Sequence, residues 1–116
     1  MHAQGRICCG LVLALLAVSA VAEEDQGQRV FQRNCETCHG GWGGYGAPGI
    51  GNYDAWRPFF RHGEQAMFTS VVNGRNSMAP RGGNPTLSDK ELREAVRWII
   101  KEVDGNESSV LAVAER

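Results

Sequence analysis

The stretch Cys35-Glu36-Thr37-Cys38-His39 decides how the rest of this 116-residue sequence is interpreted. Two cysteines separated by two residues and followed directly by a histidine form the attachment pattern of a c-type haem. On one helical turn, each thiol can add to a vinyl group of the same porphyrin edge. The histidine then lies over the ring face with Nε2 towards the iron. The pattern therefore predicts one covalent haem c, held by Cys35 and Cys38, with His39 as an iron ligand.

Two other chemistries use closely spaced cysteines. A structural zinc site needs four ligands, and after residue 22 only His62 could be added to Cys35, Cys38 and His39. A thioredoxin-like dithiol needs a β-α-β setting, which this sequence lacks. Both are weaker interpretations than haem attachment.

The first 22 residues differ from the rest of the chain. Arg6 is their only charged residue, an apolar run covers residues 7–18, and Ala20-Val21-Ala22 offers the small-residue pattern that signal peptidases cut. The apolar run is too short to span a bilayer well. We predict a secretory signal peptide at residues 1–22 and a periplasmic domain at residues 23–116, with its core at about 26–104. An uncleaved membrane anchor is the alternative.

The composition limits the partners of the predicted domain. Removal of residues 1–22 takes away only Arg6, which leaves 11 Lys and Arg against 13 Asp and Glu, a formal charge of −2. Because there is no basic run, we expect no nucleic-acid partner. A domain of this size buries only about 60–65% of its chain surface. A bound cofactor would add the apolar contact that such a small core lacks.

A first helix is predicted from the acidic segment before the motif. Asp25 is a candidate N-cap, and Gln28 three residues later completes a capping box. The predicted helix runs to about Thr37. Gly27 and Phe31 are four residues apart and share one face, where a glycine permits close approach of another helix.

Two shorter helices are predicted after the motif. The first is capped by Asp54 and carries Trp56, with Pro58 tolerated only near its start. The second spans residues 63–73 and ends at Gly74.

The last predicted helix has the clearest signals. Ser88 is its N-cap, Glu91 completes a capping box, and Gly105 ends it. Four residues form an apolar stripe at helical spacing: Leu92, Ala95, Val96 and Ile99.

Two glycine-rich loops separate these helices. Residues 40–51 hold seven glycines in twelve positions, together with Trp42 and Tyr45, and residues 74–87 form a second loop that contains Met78. Since no segment after residue 22 alternates with period two, the sequence predicts an all-α fold.

The second axial ligand of the iron is a methionine or a histidine in such sites. Met78 lies in a Gly/Pro-rich loop, where the backbone is free to aim its sulfur, so we predict that His39 and Met78 bind the metal. Met67 lies mid-helix among apolar neighbours, where a methionine is usually core filler. His62 is the bis-histidine alternative.

Several segments together resemble the cytochrome c5 family of class I cytochromes c, over most of residues 26–101. They are the Cys35-x-x-Cys38-His39 motif, Gly46-Ala47-Pro48-x-x-Gly51, the run from Met78 to Pro85, and Leu87-Ser88-Asp89. The resemblance implies a class I fold in which the N- and C-terminal helices cross around one covalently bound haem.

The resemblance also implies roles for individual residues. Gly27 and Phe31 are expected to meet Trp98 and Ala95. The Pro48 carbonyl is expected to accept a hydrogen bond from His39 Nδ1–H, which fixes the ring and raises ligand basicity. Trp56 is expected near a haem propionate.

The sequence departs from the family pattern at identifiable positions. Ala79 stands where the family usually has the first proline of Met-Pro-Pro, which loosens the loop around Met78. Phe59 stands where an arginine is common, and Asn52 where an aspartate is more usual. The loop after His39 is also longer, so Trp42 and Tyr45 receive no role.

The resemblance implies a one-electron carrier. We see no acid–base pair or nucleophile and expect no enzymatic activity. The expected partners are redox proteins as donor and acceptor, in brief contact, with membranes reached only through partner complexes, and the chain as monomer or weak dimer. The alternatives are a haem-bearing subunit of a larger oxidoreductase, a sensor or peroxidase if Met78 is labile, and a redox-inert haem protein.

Four scattered arginines offer a local basic patch or ordinary solvated charge: Arg57, Arg61, Arg75 and Arg81.

Overall fold

A computed structural model describes residues 25–105 and the isolated Gly5. The predicted signal peptide therefore lies outside the described residues. The described part contains the following helices: α1 (Gln26–Asn34), α2 (Glu36–His39), α3 (Tyr53–Phe60), α4 (Gly63–Asn73) and α5 (Asp89–Asp104), with a 3-10 turn at Pro80–Gly83. Over residues 25–105 extended pairing is limited to one bridge between Arg75 and Met78, so the all-α prediction is confirmed.

The first predicted helix starts where expected, but it is not continuous. Asp25 caps α1 by accepting a 2.8 Å hydrogen bond from the Gly27 amide, one residue before the amide that a capping box with Gln28 would use. The helix ends at Asn34, and Cys35 has φ −119°, outside the helical range. The chain then turns again as α2, so the predicted helix to Thr37 is two helices that join at the first cysteine.

The next helix corrects two details of the prediction. Its N-cap is Asn52 and not Asp54, because Asn52 Oδ1 accepts from the Ala55 amide at 3.3 Å. Pro58 is the sixth of eight helical residues and not near the start. Pro58 removes the hydrogen bond to the Asp54 carbonyl, and since both residues are exposed, water can satisfy that carbonyl.

The last two helices follow their predicted bounds. The helix α4 ends at Gly74, where φ is +77°. At the start of α5, Ser88 Oγ accepts from the Glu91 amide and Glu91 Oε1 accepts from the Ser88 amide, both at 3.1 Å. Gly105 ends the helix in the left-handed conformation. Within residues 25–105, no helix is long and apolar enough to cross a membrane.

The crossing of α1 with α5 is the centre of the fold. A Cβ built on Gly27 would lie 2.7 Å from the Glu94 carbonyl carbon and 2.9 Å from Trp98 Cβ, so only glycine permits this approach. Phe31 is fully buried, and its ring centroid lies 4.7 Å from that of Trp98. The expected contact of Gly27 and Phe31 with Trp98 is thus present, and Ala95 packs beside it with Val30.

A buried carboxylate that no sequence pattern predicted joins α4 to α5. Glu64 is buried, and its Oε1 lies 2.8 Å from Arg97 Nε and 3.3 Å from Arg93 Nη1. Two guanidinium groups offset the cost of removing this charge from water. The two arginines therefore hold α5 against α4.

Replacement of Gly27 by alanine tests the helix crossing. In a free helix this change stabilises by roughly 1 kcal/mol, but here the added methyl group must displace the α5 backbone. We expect a net loss of about 1–3 kcal/mol in the free energy of unfolding, measured by denaturant titration of the haem-loaded protein. Gln32→Ala, on the exposed side of α1, is the control and should change stability by less than about 0.5 kcal/mol. A stabilised Gly27→Ala protein would contradict the crossing.

Candidate haem-binding site

The two cysteines of the motif lie where α1 gives way to α2. Both are half-buried, and they are not joined in a disulfide. Burial, and secondarily the nearby Cys38, raise the pKa of Cys35 to about 11. Cys35 is therefore protonated at neutral pH, whereas dithiol redox chemistry needs a thiolate of lowered pKa. The thioredoxin-like alternative has no support in this environment.

His39 is buried and held in one orientation. Its Nδ1 lies 2.8 Å from the Pro48 carbonyl oxygen, which is the contact that the resemblance implied. A carbonyl oxygen only accepts, so the proton resides on Nδ1 and the ring donates to Pro48. The lone pair of Nε2 is left free to bind a metal. The same hydrogen bond orients the ring and makes it a better ligand.

The glycine-rich loop closes back onto this histidine. The Ile50 amide donates to the His39 carbonyl and the Gly44 amide to the Cys38 carbonyl, both at 2.8 Å. Gly49 is required for the closure, because a Cβ there would strike the backbone nitrogen of Gly43. The loop is therefore hydrogen-bonded to itself and to the attachment motif in spite of its glycine content.

Trp56 supports the loop from α3. Its Nε1–H donates to the Gly49 carbonyl at 2.9 Å in a buried setting. Its ring stacks on Phe60 at 5.9 Å, with an interplanar angle of 13°, and lies 5.3 Å from the His39 ring. Trp56 thus belongs to the histidine side of the site. The propionate contact expected for it stays a prediction, and its indole N–H is already paired with Gly49.

Met78 is held at the end of a tight turn. The Arg75 amide donates to the Met78 carbonyl at 3.0 Å and the Met78 amide to the Arg75 carbonyl at 2.9 Å. Asn76 completes the turn with φ +51°. The chain then passes the end of α1, since a Cβ on Gly82 would lie 4.0 Å from Cys35 Sγ. The methionine loop and the attachment motif are therefore adjacent.

The methionine loop is also held by hydrogen bonds from side chains that the sequence did not indicate as part of the site. Asn84 Nδ2 donates to Asn34 Oδ1 and Asn34 Nδ2 donates to the Val30 carbonyl, each at 2.9 Å. Arg81 donates to the Leu87 carbonyl at 2.5 Å and pairs with Asp89 at 2.9 Å. The loop is thus attached to α1 and α5. In the sequence, the only feature that pointed to this attachment of the loop was an asparagine, Asn34, next to the first cysteine.

Comparison with known proteins identifies this arrangement. The family model described as "Cytochrome C oxidase, cbb3-type, subunit III" matches residues 22–99. The chain is 35% identical to cytochrome c5 of Ectopseudomonas mendocina, over 70% of this chain and 94% of that protein. The chain belongs to the class I cytochromes c. It binds one haem c covalently through its cysteine pair and carries electrons.

Two further relatives agree with this assignment. Cytochrome c-555 of Prosthecochloris aestuarii is 33% identical over 66% of this chain and 85% of its own length. A chain in the crystal structure of an electron transfer complex of nitrite reductase with cytochrome c matches with a TM-score of 0.64 and 31% identity. That match covers 69% of this cytochrome and 96% of the other chain.

The donor set fits a c-type haem. Over residues 25–105, no three His, Cys, Asp or Glu side chains come together as a metal-binding group, so the zinc alternative is wrong for this part of the chain. Met67 is buried in the apolar core with Phe31 and Trp56. His62 is exposed at the start of α4. The thiols and the oriented histidine are thus the groups that a haem c would use.

The hydrogen bond from Trp56 to the loop is testable by Trp56→Phe. The change removes one of the two hydrogen bonds that the buried Gly49 carbonyl accepts, since the Asn52 amide still donates to it at 2.9 Å. We therefore expect the free energy of unfolding to fall by about 0.5–1.5 kcal/mol. Denaturant titration of the haem-loaded cytochrome measures it. Trp42→Phe is the matched control: Trp42 is exposed and its replacement should cost less than about 0.5 kcal/mol. Equal stability of both variants would show that the bond is not needed.

Proposed function

We propose that this cytochrome is an exported one-electron carrier in which His39 and Met78 are the axial ligands of the haem iron. The observation that carries the proposal is the hydrogen bond of His39 Nδ1 to the Pro48 carbonyl, which leaves Nε2 as the free donor. The haem supplies an iron atom that alternates between ferrous and ferric states. The hydrogen bonds of the two loops would hold the residues around the iron in place during that change.

Two axial side chains would leave no open position for a substrate. A thioether from Met78 favours the ferrous state and raises the reduction potential. The turn at Arg75–Met78 and the bond between Asn34 and Asn84 restrain the loop that carries this thioether. A filled and restrained coordination sphere supports a carrier in preference to an enzyme or a gas sensor.

The location and partners of the carrier follow from its sequence. The signal-peptide pattern at residues 1–22 supports export to the periplasm. We propose redox proteins as donor and acceptor, in brief encounters by the chain as a monomer or weak dimer, and membranes reached only through partner complexes. The matched chain in a nitrite reductase complex is an example of such an encounter in a related cytochrome.

A second candidate is a haem-bearing subunit of a larger oxidoreductase. The description of the matching family model, an oxidase subunit, favours it. The two candidates differ in what accompanies the protein. A carrier elutes alone from size-exclusion chromatography of native extracts, whereas a subunit elutes with its assembly at constant stoichiometry.

The axial ligand is tested by absorption spectra of the protein matured with haem. The wild-type ferric protein should have the weak red sulfur-to-iron band, and its ferrous form should not bind carbon monoxide. We expect Met78→Leu to lose the band and to bind carbon monoxide, because leucine cannot ligate. Met67→Leu and His62→Ala are the controls and should retain the wild-type spectrum.

Other outcomes of these spectra would redirect the proposal. Loss of the band in Met67→Leu instead would make Met67 the ligand. A wild-type protein that lacks the band or binds carbon monoxide rapidly would support a sensor or peroxidase. Absence of covalent haem would contradict the site altogether.

The bond between Asn84 and Asn34 predicts a second effect on the same band. Asn84→Ala removes the side-chain hydrogen bond between the methionine loop and α1, worth about 1 kcal/mol. It also removes the two hydrogen bonds that Asn84 Oδ1 accepts from Thr86 within the loop. We expect the sulfur-to-iron band to disappear at a lower urea concentration than in the wild type, before the helical circular dichroism is lost. Asn73→Ala, exposed at the end of α4, should leave the midpoint of the band unchanged. A midpoint that does not move in Asn84→Ala would show that the bond does not restrain Met78.

A further inference from the structure

Two large aromatic side chains are exposed on the glycine-rich loop, and nothing in the haem site uses them. The exposed fraction is 77% for Trp42 and 83% for Tyr45, against 44% for Tyr53, the other exposed large hydrophobic residue within 25–105. Full exposure of two rings on one short loop leaves their apolar surface in contact with water. Aromatic residues in such positions are characteristic of protein interfaces.

The backbone conformation at Tyr45 is unfavourable for a tyrosine, and packing of its exposed side chain does not explain why a tyrosine occupies this position. Its φ is +56°, in the left-handed region that is costly for residues with a Cβ and free for glycine. The loop has glycine at positions 43, 44 and 46, yet it carries a tyrosine at the position between them. A strained residue without compensating burial points to a function outside the fold.

The backbone that carries these rings is held by hydrogen bonds close to the haem attachment. The Gly44 amide binds the Cys38 carbonyl, and the Gly51 amide binds the Gly41 carbonyl at 2.7 Å. Trp42 lies between these anchors, three residues after His39. Rings on a pre-ordered loop lose little conformational freedom when they are covered.

The segment that carries the rings is itself uncharged. Residues 40–52 contain no acidic or basic side chain. Two of the four scattered arginines are paired with carboxylates, Arg57 with Asp54 at 3.9 Å and Arg81 with Asp89 at 2.9 Å. A complementary surface for this loop is therefore apolar and uncharged, and charge steering contributes little to its encounter.

We propose that Trp42 and Tyr45 form the docking surface for a redox partner protein that presents an uncharged, apolar face beside its own one-electron centre. This inference rests on the proposed carrier function. In the encounter one electron leaves the ferrous cytochrome and enters the oxidised partner, which is reduced by one electron. No bond is formed or broken and no proton is transferred.

The area of the two rings favours a brief contact over a stable one. An aromatic side chain buries about 150–250 Å², so the pair offers roughly 300–500 Å². A stable interface needs about 800 Å² from each partner, which a symmetric dimer built on these rings does not reach. Weak redox encounters bury less and fit the available surface.

A lipid surface is the less suitable occupant. Interfacial binding to membranes grows with buried apolar area and with attraction of basic residues to anionic lipids. The loop supplies two rings and no basic residue. A protein face of matching polarity therefore fits it better.

The experiment uses the haem-loaded ferrous cytochrome and three oxidants: the soluble fraction of the source cells, their membrane fraction, and ferricyanide. Stopped-flow absorption gives the second-order rate of oxidation by each. We compare the wild type with Trp42→Ser/Tyr45→Ser, with Tyr45→Gly, and with Arg57→Gln/Arg61→Gln as a charge control.

The proposal expects a selective effect. The double aromatic variant should be oxidised by the active cell fraction about tenfold or more slowly. Its rate with ferricyanide and its reduction potential should equal those of the wild type. The charge control should differ less than twofold, and the wild-type rate should change less than twofold between low and high salt. Tyr45→Gly should slow the same reaction while its urea midpoint is no lower than that of the wild type, because glycine relieves the backbone strain.

Several results would overturn the proposal. An unchanged rate in the double aromatic variant rejects the docking surface, and a changed potential assigns the rings to the haem environment instead. A strong salt dependence with a slow charge control assigns docking to the arginines. Sedimentation of the wild type with neutral phosphatidylcholine vesicles, or a dimer that the double variant abolishes, identifies lipid or a second copy as the occupant. If ferricyanide oxidises the wild type but neither fraction does, the carrier function itself fails.

Discussion

The hydrogen bond between His39 and the Pro48 carbonyl is the contact on which the site depends. Eight residues lie between the two partners, and five of them are glycine. Such a segment loses much backbone entropy when it is ordered. It is ordered here because its amides bind the carbonyls of Cys38 and His39 while Trp56 holds Gly49 from the other side. The loop and the histidine ring thus fix each other.

The helix crossing places this loop against the rest of the molecule. Gly27 lets α1 approach α5 until Phe31 and Trp98 pack ring against ring. Trp56, Phe60 and Met67 belong to the same apolar cluster. The helices α3 and α4 therefore pack against the core that α1 and α5 form. Cys35 follows α1 directly and packs against this cluster, so the core holds the first thiol in place. A small domain gains in this way a firm attachment for a large cofactor.

Local signals in the sequence predicted most of the fold, and long-range contacts account for what was missed. Ser88 and Glu91 stabilise the start of α5 within one turn, so their pattern is sufficient. The cap of α3 was misassigned because Asn52 and Asp54 are equally suitable by composition, and only the path of the loop selects between them. Glu64 meets Arg97 across 33 residues, which no local pattern encodes. The haem motif could be predicted because its chemistry is contained in five consecutive residues.

The departure at Ala79 shows how local stiffness and tertiary contacts can replace each other. A proline there would restrict the backbone beside Met78 by fixing φ, and alanine gives up that restriction. In this chain the same loop is tied on both sides of the departure, by the backbone pair of Arg75 with Met78 before it and by Asn84 with Asn34 after it. These ties act only in the folded protein, whereas a proline also restricts the unfolded chain. The proposed Met78 ligation therefore depends on contacts that form only in the folded protein, one within the loop and one with α1, in place of the stiffness that a proline would supply.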